Sequence, residues 1–356
     1  MTEKVLMRGN EALGEAAVRA GCQAYFGYPI TPQTELLEYM AYRMPELDRT
    51  FIQAESELSA INMVYGAAST GIRAMTSTSS PGFSLMQETI SYMAGARLPC
   101  LIVNVMRGGP GLGNIQPSQG DYNQMTKGGG HGDYSLITLA PYSVQEIVDF
   151  VPLAFDLAEK YRLPVLMALD GLLGQMMEPV VLPDWTKPRT EPFEWALTGV
   201  GTRNKNVISS RDKNTITSLQ LNAKGLEEMN LDLRRTIVEF QIEARSEIFL
   251  TEDAKIIVIA YGSVARIAKT AIQRARDNGI LVGLFRPLTL NPIPTFCLQN
   301  VVTHIEPKVL VVELNSGQMV NDIFDMIPDV YFYGRVGGQI PSVGEILTRI
   351  EEVNAL

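Results

Sequence analysis

From residue 24 onwards the chain alternates short apolar runs with stretches in which apolar residues fall three and four apart. The first kind of segment fits a strand buried on both faces and the second an amphipathic helix. Their alternation leads to a parallel sheet with helices on both faces, an α/β, doubly wound architecture. Strands are expected at 24–27, 50–53, 73–77, 100–105, 136–140 and 165–169, with helices at 57–69 and 144–161. The run at 100–105, bounded by Pro99 and Gly108-Gly109-Pro110, is expected to be the central strand. Asn10 is expected to cap a first helix ending near Ala20, with Gly21 stopping it. The segment 179–192, with its prolines, is expected to be a crossing linker, and 203–217, polar and basic, an exposed excursion. A long amphipathic helix should carry Leu226, Met229, Leu233, Ile237, Phe240 and Ala244. A second α/β unit follows, with strands at 256–260, 281–285, 309–312 and 330–333 and helices at 262–277, 317–326 and 343–353.

Composition bounds the function classes. With 356 residues, 46% apolar and 19% charged, the chain can bury two ordinary globular cores. A net charge of -9 argues against nucleic acid as the main partner. There is no apolar run of membrane-spanning length, and Met1-Thr2-Glu3-Lys4 does not resemble a secretory signal. Cys22, Cys100 and Cys297 form no CxxC pair, and His131 and His304 are the only histidines. No metal site of the chain's own is expected, and the reducing cytoplasm is the expected compartment.

Chemistry-bearing residues gather at predicted strand ends, where open α/β sheets bind ligands. Tyr28-Pro29-Ile30-Thr31-Pro32 follows the first strand. Its prolines restrict the backbone and hold the Thr31 hydroxyl in one direction, although a plain strand-to-helix turn with Pro32 opening the helix fits as well. Glu55 and Glu57 follow the second strand. Either both are solvated acids near a helix N-terminus, or Glu57 is buried against a ligand nitrogen. Ser79-Ser80-Pro81-Gly82 follows the third and can cap a helix or meet an anion. Arg107 follows the fourth, either as a surface arginine or as a two-pronged carboxylate ligand. Residues 107–135 form a long loop without periodicity, the kind that usually carries function. Within it, Gly128-Gly129-Gly130-His131-Gly132-Asp133 implies close backbone approach to something, or a structural turn. Gly108 to Gly113 fails as a dinucleotide fingerprint because Pro110 interrupts it.

Taken in order, Gly27 to Pro32, Glu55-Ser56-Glu57, Thr78 to Met86 and Val103 to Pro110 resemble the α subunit of the multisubunit 2-oxoacid:ferredoxin oxidoreductases. The Gly128 to Asp133 block is most similar to the branched-chain (3-methyl-2-oxobutanoate) type. The resemblance implies a pyrimidine-type thiamine diphosphate domain over 1–185, a linker with a helix over 186–250, and a transketolase C-terminal-like α/β domain over 251–356. It implies Glu57 as the acid on the cofactor's pyrimidine nitrogen, with Pro29, Ser80 and Gly82 around the cofactor. It implies Thr31 and Arg107 as contacts to the oxo and carboxylate oxygens of the substrate. A partner β subunit would hold the diphosphate and Mg²⁺, while a γ subunit and a ferredoxin-like subunit with iron-sulfur clusters would complete the complex. CoA would take the acyl group and ferredoxin the electrons. Pyruvate or 2-oxoglutarate as substrate, a transketolase-like enzyme, and a non-catalytic partner-binding scaffold are the alternatives.

Overall fold

The computed structural model describes residues 4–198 and 214–356. A seven-stranded sheet takes the spatial order Thr289–Asn291, Thr138–Leu139, Pro164–Asp170, Cys100–Met106, Ala74–Thr78, Ala24–Gly27, Thr50–Gln53. Its strands are parallel except Thr289–Asn291, which runs antiparallel to Thr138–Leu139. Cys100–Met106 is buried along its whole length and pairs with a strand on each side, the central position its apolar run calls for. The helices Glu57–Ser69 and Val144–Tyr161 lie where their periodicity places them.

A five-stranded sheet follows in the order Val330–Gly334, Lys308–Glu313, Ile256–Ile259, Val282–Pro287, Ser246–Phe249. Only Ser246–Phe249 is antiparallel. The helices Gly262–Asp277 and Val343–Ala355 pack on it. Ser246–Phe249 lies in the stretch expected to be linker, and Thr289–Asn291 leaves the second sheet to border the first. The Arg286 side chain, buried between the two, pairs with Glu146 (2.5 Å) of the first and Glu247 (2.7 Å) of the second. Among the described residues no helix is long and apolar enough to cross a membrane. Cys22 and Cys100 are buried, and burial pushes the Cys22 thiol up to about 12.

Three expectations are corrected. Asn10 does not cap the first helix, which spans Gly9–Arg19 behind an N-cap at Arg8. Asn10 is instead fully buried, and its amide donates to Pro32 O (2.8 Å) and Glu35 Oε2 (2.9 Å). The proline-rich stretch from residue 179 is not linker at its start, because Met177–Val180 pairs antiparallel with a strand at Val5–Arg8. The long helix spans Ala223–Glu239 and tightens into a 3₁₀ turn over Phe240–Glu243. Leu233 and Phe240 face the core while Leu226 is exposed. Of the expected excursion, residues 203–213 lie outside the described residues, as does the side chain of His304.

Candidate functional site

The strands Ala24–Gly27 and Ala74–Thr78 pair only at Ala24–Ala74 and Tyr25–Met75, then part. The chain leaves the first of them for Thr50–Gln53 on one side and the second for Cys100–Met106 on the other. This is a topological switch point, where the loops diverge and a crevice opens. Its floor is a hydrogen-bonded relay. Tyr25 Oη and Ser77 Oγ are 2.7 Å apart, Ser77 Oγ donates to Gln33 Oε1 (2.7 Å), and Gln33 Nε2 donates to Tyr28 O (3.0 Å). The relay and the Asn10 amide hold the Tyr28–Pro32 turn from both ends. The next helix opens at Thr34 behind Gln33, so Pro32 does not start it. Pro29 is half-buried and Thr31 exposed.

Arg107 crosses this crevice. It is buried, so the surface alternative does not hold. Its Nη1 donates to Thr31 O (2.9 Å) and its Nη2 to Leu112 O (3.2 Å). Its Nε is buried without a partner among the described residues. Its backbone N–H donates to Ser80 Oγ (3.1 Å). Ser80 Oγ in turn lies 2.5 Å from Asp121 Oδ2, which also accepts from Asn104 Nδ2 (2.9 Å). Burial pushes the Asp121 carboxyl above its usual range, against the pull of those two donors.

Glu57 opens the helix Glu57–Ser69, whose N-cap is Ser56, with Ser56 Oγ accepting from Ser59 N (3.2 Å). Glu57 is 5% exposed, and its carboxylate has no hydrogen bond or ion pair with a described residue. It lies on Gly82: a Cβ there would stand 2.3 Å from Glu57 Oε1 and 2.1 Å from Thr78 Oγ1. Only glycine leaves that space. Glu55, by contrast, is exposed and accepts from the Ser59 hydroxyl, which holds its carboxyl below the usual range. Ser79 occupies the N-cap position of Ser80–Gly95 without a side-chain cap bond, and its buried hydroxyl has no partner among the described residues. One line of contacts therefore runs from Glu57 through Gly82 and Ser80 to Arg107 and Thr31.

The long loop turns out to be a clasp. Gln119 is fully buried and donates from Nε2 to Tyr261 O (2.9 Å), while Leu314 N donates to its Oε1 (3.0 Å). Asn114 Nδ2 donates to Gly337 O (3.0 Å). The loop thus binds the site to the strand ends of the second sheet. The Gly128 to Asp133 block is not brought to Arg107 by any described hydrogen bond. It packs along the helix Ser80–Gly95, where a Cβ on Gly129 would meet Gln87 Oε1 at 2.2 Å and Ser91 Oγ donates to His131 O (2.6 Å). His131 is exposed and meets the Tyr92 ring edge-on. The sequence reading passed over Asp121, Asn104, Gln33 and Gln119. Asn104 alone carried a signal, as the polar residue inside the central apolar run.

A polar cluster at the switch point of a doubly wound sheet, clasped to a second parallel-sheet unit, defines an α/β ligand-binding protein of two units. Residues 15–238 match the family model for pyruvate flavodoxin/ferredoxin oxidoreductase, thiamine diphosphate-binding, and 254–346 that for pyruvate:ferredoxin oxidoreductase core domain II. The chain belongs to the 2-oxoacid:ferredoxin oxidoreductase family, as an α-type subunit. It is 46% identical to ketoisovalerate oxidoreductase subunit VorB of Methanothermobacter thermautotrophicus, over 98% of this chain and 97% of that protein. It is 36% identical to 2-oxoglutarate synthase subunit KorA of the same organism, over 99% of this chain and all of that one (100%). A solved structure of 2-oxoglutarate:ferredoxin oxidoreductase from Magnetococcus marinus, with 2-oxoglutarate, coenzyme A and succinyl-CoA bound, superposes with a TM-score of 0.84 at 27% identity. That match covers 99% of this chain and 65% of the solved one.

Proposed function

We propose that this chain is the α-type subunit of an oxidoreductase that decarboxylates a branched-chain 2-oxoacid, 3-methyl-2-oxobutanoate foremost, to its acyl-CoA and CO₂ with electrons passing to ferredoxin. The observation that carries the cofactor half is the buried Glu57 carboxylate, unpartnered among the described residues and seated on Gly82. A carboxylate in so enclosed a place, with little room for water, gains from a donor that arrives from outside. The ring nitrogen of an aminopyrimidine becomes such a donor when it carries a proton, as in the imino tautomer that a carboxylate favours, so the residues fit thiamine diphosphate. The substrate half rests on the 46% identity to a ketoisovalerate enzyme subunit, against 36% to a 2-oxoglutarate one.

When bound, thiamine diphosphate supplies the electron sink for breaking a bond next to a carbonyl. Glu57 holds the ring nitrogen by a hydrogen bond, with Pro29, Ser80 and Gly82 bounding the space beside it. Arg107 offers its remaining N–H donors to the 1-carboxylate, as a planar fork matches two oxygens. The Thr31 hydroxyl, exposed on the turn, meets the oxo oxygen. A β subunit holds the diphosphate and Mg²⁺; a γ subunit and a ferredoxin-like subunit with iron-sulfur clusters serve electron transfer, in the cytoplasm. Segments 1–185, 186–250 and 251–356 are the units of this reading.

The test is viologen reduction by the assembled complex across a panel of 2-oxoacids with CoA. 3-Methyl-2-oxobutanoate should have the highest kcat/KM, far above 2-oxoglutarate, because a branched aliphatic chain needs an apolar wall whereas a distal carboxylate needs a cation. The isolated chain should reduce no dye. A complex that favours 2-oxoglutarate overturns the substrate and leaves the cofactor standing.

A further inference from the structure

Asp121 is half-buried on a loop, its carboxylate has no ion pair among the described residues, and it grips the helix start at Ser80 and the central strand at Asn104 at once. The neighbouring geometry gives it a task. Ser80 Oγ carries one proton and has three polar neighbours: Asp121 Oδ2 at 2.5 Å, Arg107 N at 3.1 Å and Arg107 O at 3.3 Å. A hydroxyl donates once, and the charged, nearer acceptor takes the proton. With the proton directed at Asp121, the lone pairs of Ser80 Oγ face Arg107 N–H, which donates into them. Without Asp121, that proton has only Arg107 O, at 3.3 Å, and nothing ties the hydroxyl to Asn104 on the central strand, so Ser80 and the Arg107 backbone it meets lose their fixed point. Asp121 is itself anchored on the central strand through Asn104, which is fully buried.

We propose that Asp121 is a positioning residue: by orienting the Ser80 hydroxyl it fixes the Arg107 backbone against the first turn of the helix Ser80–Gly95. Ser80 stands two residues before Gly82, on which Glu57 lies, so this one hydroxyl joins both halves of the line of contacts. The inference rests on the reading of Arg107 as the carboxylate-binding group. Asp121 touches no substrate; it acts through Ser80 on where the guanidinium stands.

Asp121→Ala and Asp121→Asn are made in the assembled complex, alone and with Arg107→Lys. KM is measured for two different 2-oxoacids and for CoA, together with thiamine diphosphate binding. Asp121→Ala should raise KM for both oxoacids by about tenfold, within the loss that small misplacements of a binding group produce. KM for CoA should stay within about twofold, and affinity for thiamine diphosphate, which Ser80 also borders, should fall by less than the oxoacid KM rises. Asp121→Asn, which keeps one acceptor oxygen, should fall between, and it serves alone if the alanine variant does not assemble. In the Arg107→Lys background the same change should add less than threefold, because the two act on one contact. The proposal is overturned if the oxoacid KM values stay within twofold, if KM for CoA rises with them, or if the effect in the Arg107→Lys background is undiminished. A wild-type complex that turns over no 2-oxoacid overturns the parent reading, and this inference with it.

Discussion

Glu55 and Glu57 stand two residues apart and end in opposite surroundings. Glu55 is exposed and already satisfied by the Ser59 hydroxyl. Glu57 is turned inward onto Gly82 with its carboxylate unpartnered among the described residues. Glu57→Gln in the assembled complex should therefore lower kcat by roughly 10²–10⁴-fold, the range for a positioned acid-base group, whereas Glu55→Gln should change it by about twofold or less. Steady-state dye reduction separates the two, and equal rates for Glu57→Gln and wild type would remove Glu57 from the chemistry. The sequence carried this contrast only as two open alternatives, since spacing alone does not say which acid turns inward. Gly82, 25 residues away, is what makes room. Asp121 was illegible for a related reason: its partners come from a helix start and the central strand, and the loop around it has no period to read.

Elements with a long buried face were legible, as were short strands such as Ala24–Gly27 and Ile256–Ile259, but three other short pieces were not. The strand Cys100–Met106 and the helices Val144–Tyr161 and Gly262–Asp277 each bury enough side chain for period to show. Val5–Arg8, Met177–Val180 and Thr289–Asn291 are short pieces whose pairing partners lie far away in sequence. The loop clasp belongs to the same class, because its hold is made by single side chains rather than by a pattern. Gln119 satisfies a carbonyl of Tyr261 and an N–H of Leu314, both otherwise buried. Gln119→Ala leaves the Leu314 N–H unpaired, which should cost about 1–3 kcal/mol, while Tyr261 O keeps its bond from Ala265 N (3.3 Å). Denaturant unfolding measures the cost, and hydrogen exchange should show the loop and the strand ends near Tyr261 and Leu314 losing protection together. An unchanged midpoint would show that the clasp does not hold the two units.

At the scale of the whole molecule, one buried acid, Asp170, spans the junction of the two sheets and a second, Glu313, is held within the second unit. Asp170 Oδ2 accepts from Ser263 N across the junction (3.0 Å), and Glu313 accepts from Met319 N and Val320 N, both at 2.9 Å. Burial raises the Glu313 carboxyl above its ordinary 4.5, against the pull of those donors. A raised folded pKa means that the native state binds the proton more tightly than the unfolded chain. Its contribution to stability is complete below 4.5 and is lost as the pH climbs through the raised value. Glu313→Gln cannot titrate, so its melting temperature should fall less steeply with rising pH than that of wild type. It should also be less stable at low pH by about 1–3 kcal/mol, since one of its amide groups faces a backbone donor. Parallel melting curves against pH would contradict this.

The border strand Thr289–Asn291 has a practical consequence for anyone who divides the gene. It covers Thr138–Leu139, and Asn291 Nδ2 also donates to Leu136 O (2.6 Å). A fragment ending at residue 250 keeps the first sheet but loses this cover. The raw edge then offers unpaired N–H and C=O groups to any other chain, the usual template for intermolecular strand addition. Expression of the first unit alone should therefore give a self-associating species, whereas the chain that keeps Thr289–Asn291 and its own sheet intact has that edge covered.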